Sequence, residues 1–392
     1  MRCDCQTPVV SFLFFMLLLN SGISEAQQAS PPDREHLLQR EAERLMEAGQ
    51  DPQWIRMIMI DLELSTDLSE ASQATCRRIL RSLALSGDET AQEHVLSVFE
   101  NEPERRSMAA WALSQASLQH PADLRHWQLM VRSLTVVEGS DAVSVMQALK
   151  RFRVRANKAQ WVRQVILKGL PLAESEQLHA ASLLQHWTAV PEKSAESWTL
   201  AQYQEWFQQE YPDAAPAVLP VDLPDRRWTM AKLMPGIHEI PVDDTMLKQG
   251  AAVFESAGCA KCHRRGATGS ANGPDLTTLG WRRQKSEILK SLLYPSHELN
   301  EEYPTVTVVL KDGTTVSGLL QAAARERLSV FTTAAEKKEF AASEVDTIRS
   351  QAISAMPEGT LELLSLEQIQ SLVAWLTSVD GIPKPHAADI QE

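Results

Sequence analysis

The sequence predicts a mainly α fold: an N-terminal α-helical repeat domain, followed by a second all-α domain that carries a small inserted antiparallel β unit. Three observations predict it. From residue 33 to about 190, apolar residues recur at helical spacing, as in Ile79-Leu80-Leu83, Ala109-Ala112-Leu113 and Val145-Ala148-Leu149. The helical pattern returns at Asp243–Ala257, at about Lys285–Leu293 and again from Ser365 to about Ser378. Between the last two, from Tyr303 to Ile348, the period switches to two.

The first 26 residues read as a secretory signal. Arg2 gives a positive start, Val9 to Leu19 form an apolar run, and Ser24-Glu25-Ala26 supplies small residues for cleavage. That run of 11 residues is too short to span a bilayer as a helix. The 392 residues are 44% hydrophobic, enough for two or three cored domains and incompatible with wholesale disorder. The net charge is −13, or −12 once Arg2, Asp4 and Glu25 leave with the signal. So acidic a chain is a poor partner for nucleic acid. With no other long apolar stretch, it predicts an exported, periplasmic protein with no integral membrane segment after cleavage.

Within residues 33–190, breaks fall at Gly87-Asp88, Glu102-Pro103, Pro121, Gly139 and Gly169-Leu170-Pro171. The helical cores at Leu80, Leu113, Leu149 and Leu184 are 33, 36 and 35 residues apart. That period resembles helical-hairpin repeats of the HEAT or armadillo kind, whose stacked pairs share one core. Residues 191–242 change character: seven prolines punctuate them and Trp198, Trp206 and Trp228 are interspersed. This reads as a structured linker with one helix, about Leu200 to Glu210, before the prolines stop it.

The second domain, residues 243–380, opens on a helix that runs into Cys259-Ala-Lys-Cys262-His263. In the insertion, residues 303–348, Val306, Val308 and Leu310 alternate with Thr307 and Val309. Lys311-Asp312-Gly313 then turns into Thr315-Val316-Ser317. Further strands fit Leu328–Thr332 and Lys338–Phe340. Ser365, with Gln368 three residues on, is the capping box of the terminal helix. Residues 381–392 form a polar tail.

Cys3 and Cys5 depart with the signal, which leaves Cys76, read as a buried small apolar residue, and the pair Cys259 and Cys262. A Cys-x-x-Cys-His run suits covalent haem attachment. Two thiols three positions apart on one turn can each bond one vinyl group, and His263 then presents its imidazole to the iron as proximal ligand. Zinc would need further ligands at suitable spacing. A thioredoxin-like redox pair would need a preceding strand, and a helix precedes it. A plain disulfide would leave His263 without a role. Gly273-Pro274-Asp275-Leu276 follows ten residues after His263, where c-type cytochromes place a turn whose proline carbonyl accepts the histidine Nδ1–H. For the sixth position the candidate is Met356, in the loop Ala355-Met356-Pro357-Glu358-Gly359, with His297 as its rival. His263 and Met356 are 93 residues apart; removing the 46 residues of the insertion leaves 47, a span that suits an all-helical haem cup.

Residues 243–380, about 35% of the chain, resemble the planctomycete-type haem-binding domain, a class I cytochrome c with an inserted small β unit. The matching residues begin with Gly250, Phe254, Cys259, Cys262 and His263, then Gly273-Pro274-Asp275-Leu276 and Tyr294-Pro295-Ser296. Tyr303, Asp312-Gly313, Met356-Pro357 and Gly359 complete them. The resemblance implies one covalent haem c and electron transfer with a redox partner protein, a dehydrogenase or a terminal acceptor. The helical repeats would dock that partner.

Other signals carry less. His179 and His186 share a helix but lack a third ligand. Lys150, Arg151, Arg153, Arg155 and Lys158 read as a solvated helix end. Arg264, Arg265, Arg282, Arg283 and Lys285 flank the haem motif and are candidates for steering an acidic partner. No phosphate loop, nucleophile elbow or His-Glu-x-x-His occurs, so no catalytic set stands apart from the haem. An electron carrier is therefore the leading reading. Two others stand beside it: a peroxidase-like enzyme that sheds its sixth ligand, and a haem-based sensor or scaffold.

Overall fold

The computed structural model describes residues 70–85, 88–116, 124–156, 158–191, 197–222, 225–238, 242–299, 302–321 and 326–383. The signal at 1–26, with Cys3 and Cys5, lies outside them. So do Gly87, Pro121, Pro224, Pro241 and most of the tail. The chain divides into two compact units, one within residues 1–99 and 105–120, the other within 100–104 and 121–392.

In the first unit, α1 (Glu70–Leu85), α2 (Glu89–Asn101) and α3 (Arg106–Gln115) follow one another. Cys76, Ile79, Leu80 and Leu83 are fully buried along one stripe of α1, so Cys76 does serve as a small core residue. The amide of Ala91 is satisfied by Asp88 Oδ1 at 3.0 Å, which starts α2.

The second unit begins with α4 (Leu124–Ser133), α5 (Gly139–Arg151), α6 (Ala159–Gly169), α7 (Glu174–Thr188) and α8 (Leu200–Glu210). α7 packs on both α5 and α6, and α8 packs on α6. Val145 and Leu149 of α5, Val165 and Ile166 of α6 and Leu184 of α7 are all fully buried. Trp127 lies edge-on to Trp161, with ring centroids 5.1 Å apart, and beside Trp187 at 6.1 Å. The linker helix falls at Leu200–Glu210, where the sequence predicts it. Thr199 and Gln202 close a reciprocal capping box at its start.

A second linker helix, α9 (Met230–His238), contains Pro235 and contradicts the expectation of a single one. A proline inside a helix removes one hydrogen bond and costs about 3 kcal/mol. The burial of Leu233 and Ile237 in the core of the following domain offsets that cost.

That domain is built from α10 (Asp244–Ser256), the one-turn α11 (Leu279–Arg282), α12 (Lys285–Leu293) and α13 (Leu366–Thr377). Asp243 Oδ1 accepts from the amide of Met246 at 2.8 Å and starts α10, while Ser365 and Gln368 form the predicted capping box of α13. α10 and α13 cross at Gly250. A Cβ built there would lie 2.1 Å from the Ser371 carbonyl oxygen, so only glycine allows this approach. One turn further along α10, Phe254 packs on Trp375 with ring centroids 5.0 Å apart.

The insertion is larger than the small unit the sequence predicts. It is a five-stranded antiparallel sheet of order β6-β5-β4-β3-β7: β3 (Thr305–Leu310), β4 (Thr315–Gln321), β5 (Arg327–Thr332), β6 (Lys337–Ala341) and β7 (Val345–Ser350). β1 (Arg264–Arg265) and β2 (Thr268–Gly269) form a separate two-residue hairpin. The sheet has its own apolar cluster, Val306, Val308, Val316 and Val330, of which Val306 and Val308 belong to the alternation read in the sequence. Its last strand went unread because it is an exposed edge with little apolar patterning. No helix among the described residues is long and apolar enough to cross a membrane.

Candidate haem site

The cysteine motif occupies the turn that ends α10. Gly258 adopts a left-handed conformation (φ 84°), and a 3₁₀ turn over Cys259–Lys261 follows. The amides of Cys262 and His263 both donate to the Cys259 carbonyl, at 3.1 and 2.9 Å. One carbonyl therefore gathers the two thiols and the imidazole onto a single turn, the arrangement the sequence spacing requires.

His263 is fixed in orientation. Its Nδ1 lies 2.9 Å from the Pro274 carbonyl oxygen. A carbonyl can only accept, so Nδ1 carries the proton and Nε2 keeps its lone pair free. The Pro274 turn is held in place by the amides of Asn272 and Gly273, which donate to the Cys262 carbonyl at 3.1 and 2.7 Å. Gly273 rests against the ring: a Cβ there would be 3.3 Å from His263 Cε1. Burial pulls the imidazole below its ordinary pKa, against the bond to Pro274, so the ring is neutral at neutral pH. Burial pushes both the Cys259 and the Cys262 thiols up. That is the reverse of a reactive redox pair, whose thiols are acidified. Among the described residues no group of three His, Cys, Asp or Glu side chains is placed to hold a metal ion.

Met356 packs against the same apolar core as Cys259, Ala260, Leu276, Leu279 and Tyr294, and all six are only partly buried. Two thiols and a neutral imidazole on one turn, with Cys259 packed on an apolar core that also carries partly buried apolar side chains, are a donor set that fits a haem. The Met356 amide donates to Ser354 Oγ at 3.1 Å, and the Ser354 amide donates to Ser296 Oγ at 3.1 Å. The Tyr294-Pro295-Ser296 turn thus positions the methionine loop. His297 lies elsewhere. It is nine-tenths buried and lines a cavity with Lys168 and Gln164 of α6, and is not among the residues packed on the core beside Cys259.

Residues 247–301 match the cytochrome c family. This cytochrome c domain implies a haem c cofactor and supports a haem-binding, electron-transfer type of protein. The match contains Cys259, Cys262, His263 and Pro274 and ends before the sheet and Met356. No match was found among curated proteins.

Several charges flanking the motif turn out to hold the cytochrome c domain together. Arg265 is 8% exposed, lies over the Trp375 ring at 4.3 Å and donates to the Ser378 carbonyl at 2.6 Å. Arg264 pairs with Asp275, and Arg283 pairs with Glu287 at 3.0 Å. Arg265, buried in this way, is therefore not available to steer a partner, whereas Arg264 and Arg283 are paired at the surface.

Sequence reasoning also missed the linker residues that grip the methionine loop. Arg226 donates to the Leu293 carbonyl at 2.7 Å and pairs with Glu358. The amide of Arg227 donates to Glu362 at 2.9 Å, and Trp228 Nε1 donates to the Leu364 carbonyl at 3.2 Å. The repeated tryptophans were the only signal for this strap, since Arg226 sits between Asp225 and Arg227 in a stretch with no motif.

Proposed function

We propose that this protein is an exported mono-haem c-type cytochrome of the planctomycete type, which carries electrons for a redox partner docked on its HEAT-like helical repeats. The observation that carries the reading is the His263–Pro274 bond, which leaves Nε2 as the free nitrogen of a neutral ring beside Cys259 and Cys262. Haem c held there supplies one-electron cycling of its iron. Cys259 and Cys262 would anchor it through thioethers, and His263 and Met356 would supply ligands to its iron. The Arg226–Trp228 strap holds the loop that carries Met356. The leader at 1–26 supports export, because thioether formation belongs to the compartment beyond the membrane.

The test is covalency. Protein made in an export-competent host with cytochrome c maturation machinery should keep its haem through denaturing electrophoresis. Cys259→Ala combined with Cys262→Ala should abolish the haem-stained band while the polypeptide is still exported. Extraction of all haem from the wild type by acidic acetone would refute the reading.

A further inference from the structure

Met356 sits inside a closed circuit of contacts, and Arg226 of the linker closes it. On one side the circuit leaves the turn after α12 at Ser296, whose Oγ accepts from the Ser354 amide at 3.1 Å. Ser354 Oγ in turn accepts from the Met356 amide at 3.1 Å. On the other side Arg226 leads back to the same turn. Its Nη1 donates to the Leu293 carbonyl at 2.7 Å, and its Nη2 pairs with Glu358, two residues beyond Met356. The other strap contacts fall further along the loop, at Glu362 and at the Leu364 carbonyl.

The link suits arginine in particular. A guanidinium carries donors on separate nitrogens of one rigid plane, so a single side chain can hold a carbonyl and a carboxylate at once. Lysine brings all its donors to one nitrogen. The Arg226 side chain is 12% exposed and that of Glu358 is 54% exposed, so a buried guanidinium meets a carboxylate that reaches it from the surface. An exposed ion pair of this kind contributes little alone; its effect here comes from closing the circuit. The same turn is held to the linker a second time. The Arg226 guanidinium carbon lies 6.0 Å from the centre of the Tyr294 ring, and Tyr294 Oη donates to Asp222. Tyr294 packs on the core against which Cys259 and Met356 also pack. Without Arg226, the methionine loop keeps its Ser296 anchor and loses the nearest one on its other side.

We propose that Arg226 is a positioning residue for the sixth iron ligand: it holds the loop so that the Met356 thioether stays on the iron in both oxidation states. This rests on the reading of Met356 as that ligand, so Met356→Ala is measured alongside. The haem-loaded full chain is compared with Arg226→Met and with Glu358→Ala, which removes the pair from its half-exposed end. Both variants should keep covalent haem and wild-type circular dichroism, yet lose most of the far-red sulfur-to-iron absorbance and gain carbon monoxide binding. The ferrous–ferric balance should move toward ferric at least tenfold in Arg226→Met, about 59 mV for one electron. Amide exchange across residues 354–364 should quicken in both, a readout that does not pass through the iron. Wild-type absorbance and potential in Glu358→Ala, or in folded Arg226→Met, would overturn the proposal while Met356→Ala still loses the band. An unchanged band in Met356→Ala would instead remove the ligand reading, and this proposal with it.

Discussion

The two proposed iron ligands, His263 and Met356, are anchored differently. The imidazole is tied through Pro274 and backed by Gly273, so its orientation is set by hydrogen-bonded backbone. Met356 is held through its own main chain, by the Ser296–Ser354 relay and the Arg226–Glu358 pair, and its side chain adds only partial burial. Met356→Ala should therefore cost about 1 kcal/mol, less than truncation in a full core. A thioether is a soft neutral ligand that favours ferrous iron, so its loss should lower the potential and remove the weak far-red sulfur-to-iron absorbance. It should also open the iron to carbon monoxide. Had His297 been the sixth ligand, His297→Ala would produce these changes instead, but that ring faces Lys168 and Lys290 across a different cavity. A Met356→Ala protein with wild-type spectrum and potential would sink the ligand assignment.

The helix crossing shows why single residues decide an element's place. At Gly250 a Cβ would meet the Ser371 carbonyl at 2.1 Å and the Trp375 Cβ at 2.5 Å, so any side chain forces α10 and α13 apart. Because the cysteine turn grows directly from the end of α10, that separation also disturbs the cup. Gly250→Val should cost about 3 kcal/mol and lower Tm by several degrees, with poorer haem incorporation. A Tm equal to wild type would mean the helices do not pack this closely. What could be read in advance follows from the range of the forces. Capping by Ser365 and Gln368, the Cys259–His263 turn and the alternation of Val306 and Val308 are local, and each is legible in a short window. α9 was not, because Pro235 is a local stop signal and only the distant core that buries Leu233 and Ile237 overrides it. Arg265 was misread for the same reason: its partners, Trp375 and Ser378, lie more than a hundred residues away in sequence.

At the scale of the molecule, the sheet's connection to the cytochrome domain decides whether it is part of the cup. β3 and β7 are neighbours in the sheet: Val306 pairs with Ser350, and the Gln351 amide donates to the Thr305 carbonyl at 2.8 Å. The chain thus leaves and re-enters the haem domain at one place, with the two ends about 5 Å apart as in any antiparallel pair. The sheet's apolar residues cluster among themselves, apart from the core that includes Phe254, Leu289 and Ile369. Gln321 reaches across to Asn272 at 3.2 Å, touching the loop that carries the Pro274 turn without supplying its main support, which is backbone bonding to Cys262. Replacing residues 305–350 by a short Gly/Ser link should therefore leave a folded protein with covalently bound haem and nearly unchanged absorbance. The loss of one side-chain bond at Asn272 should cost about 1 kcal/mol. The measurement is haem stain and spectrum of the exported deletion protein beside the wild type. If that protein is soluble and exported but carries no haem, the sheet is a wall of the cup, and the 93 residues between His263 and Met356 are one structural unit.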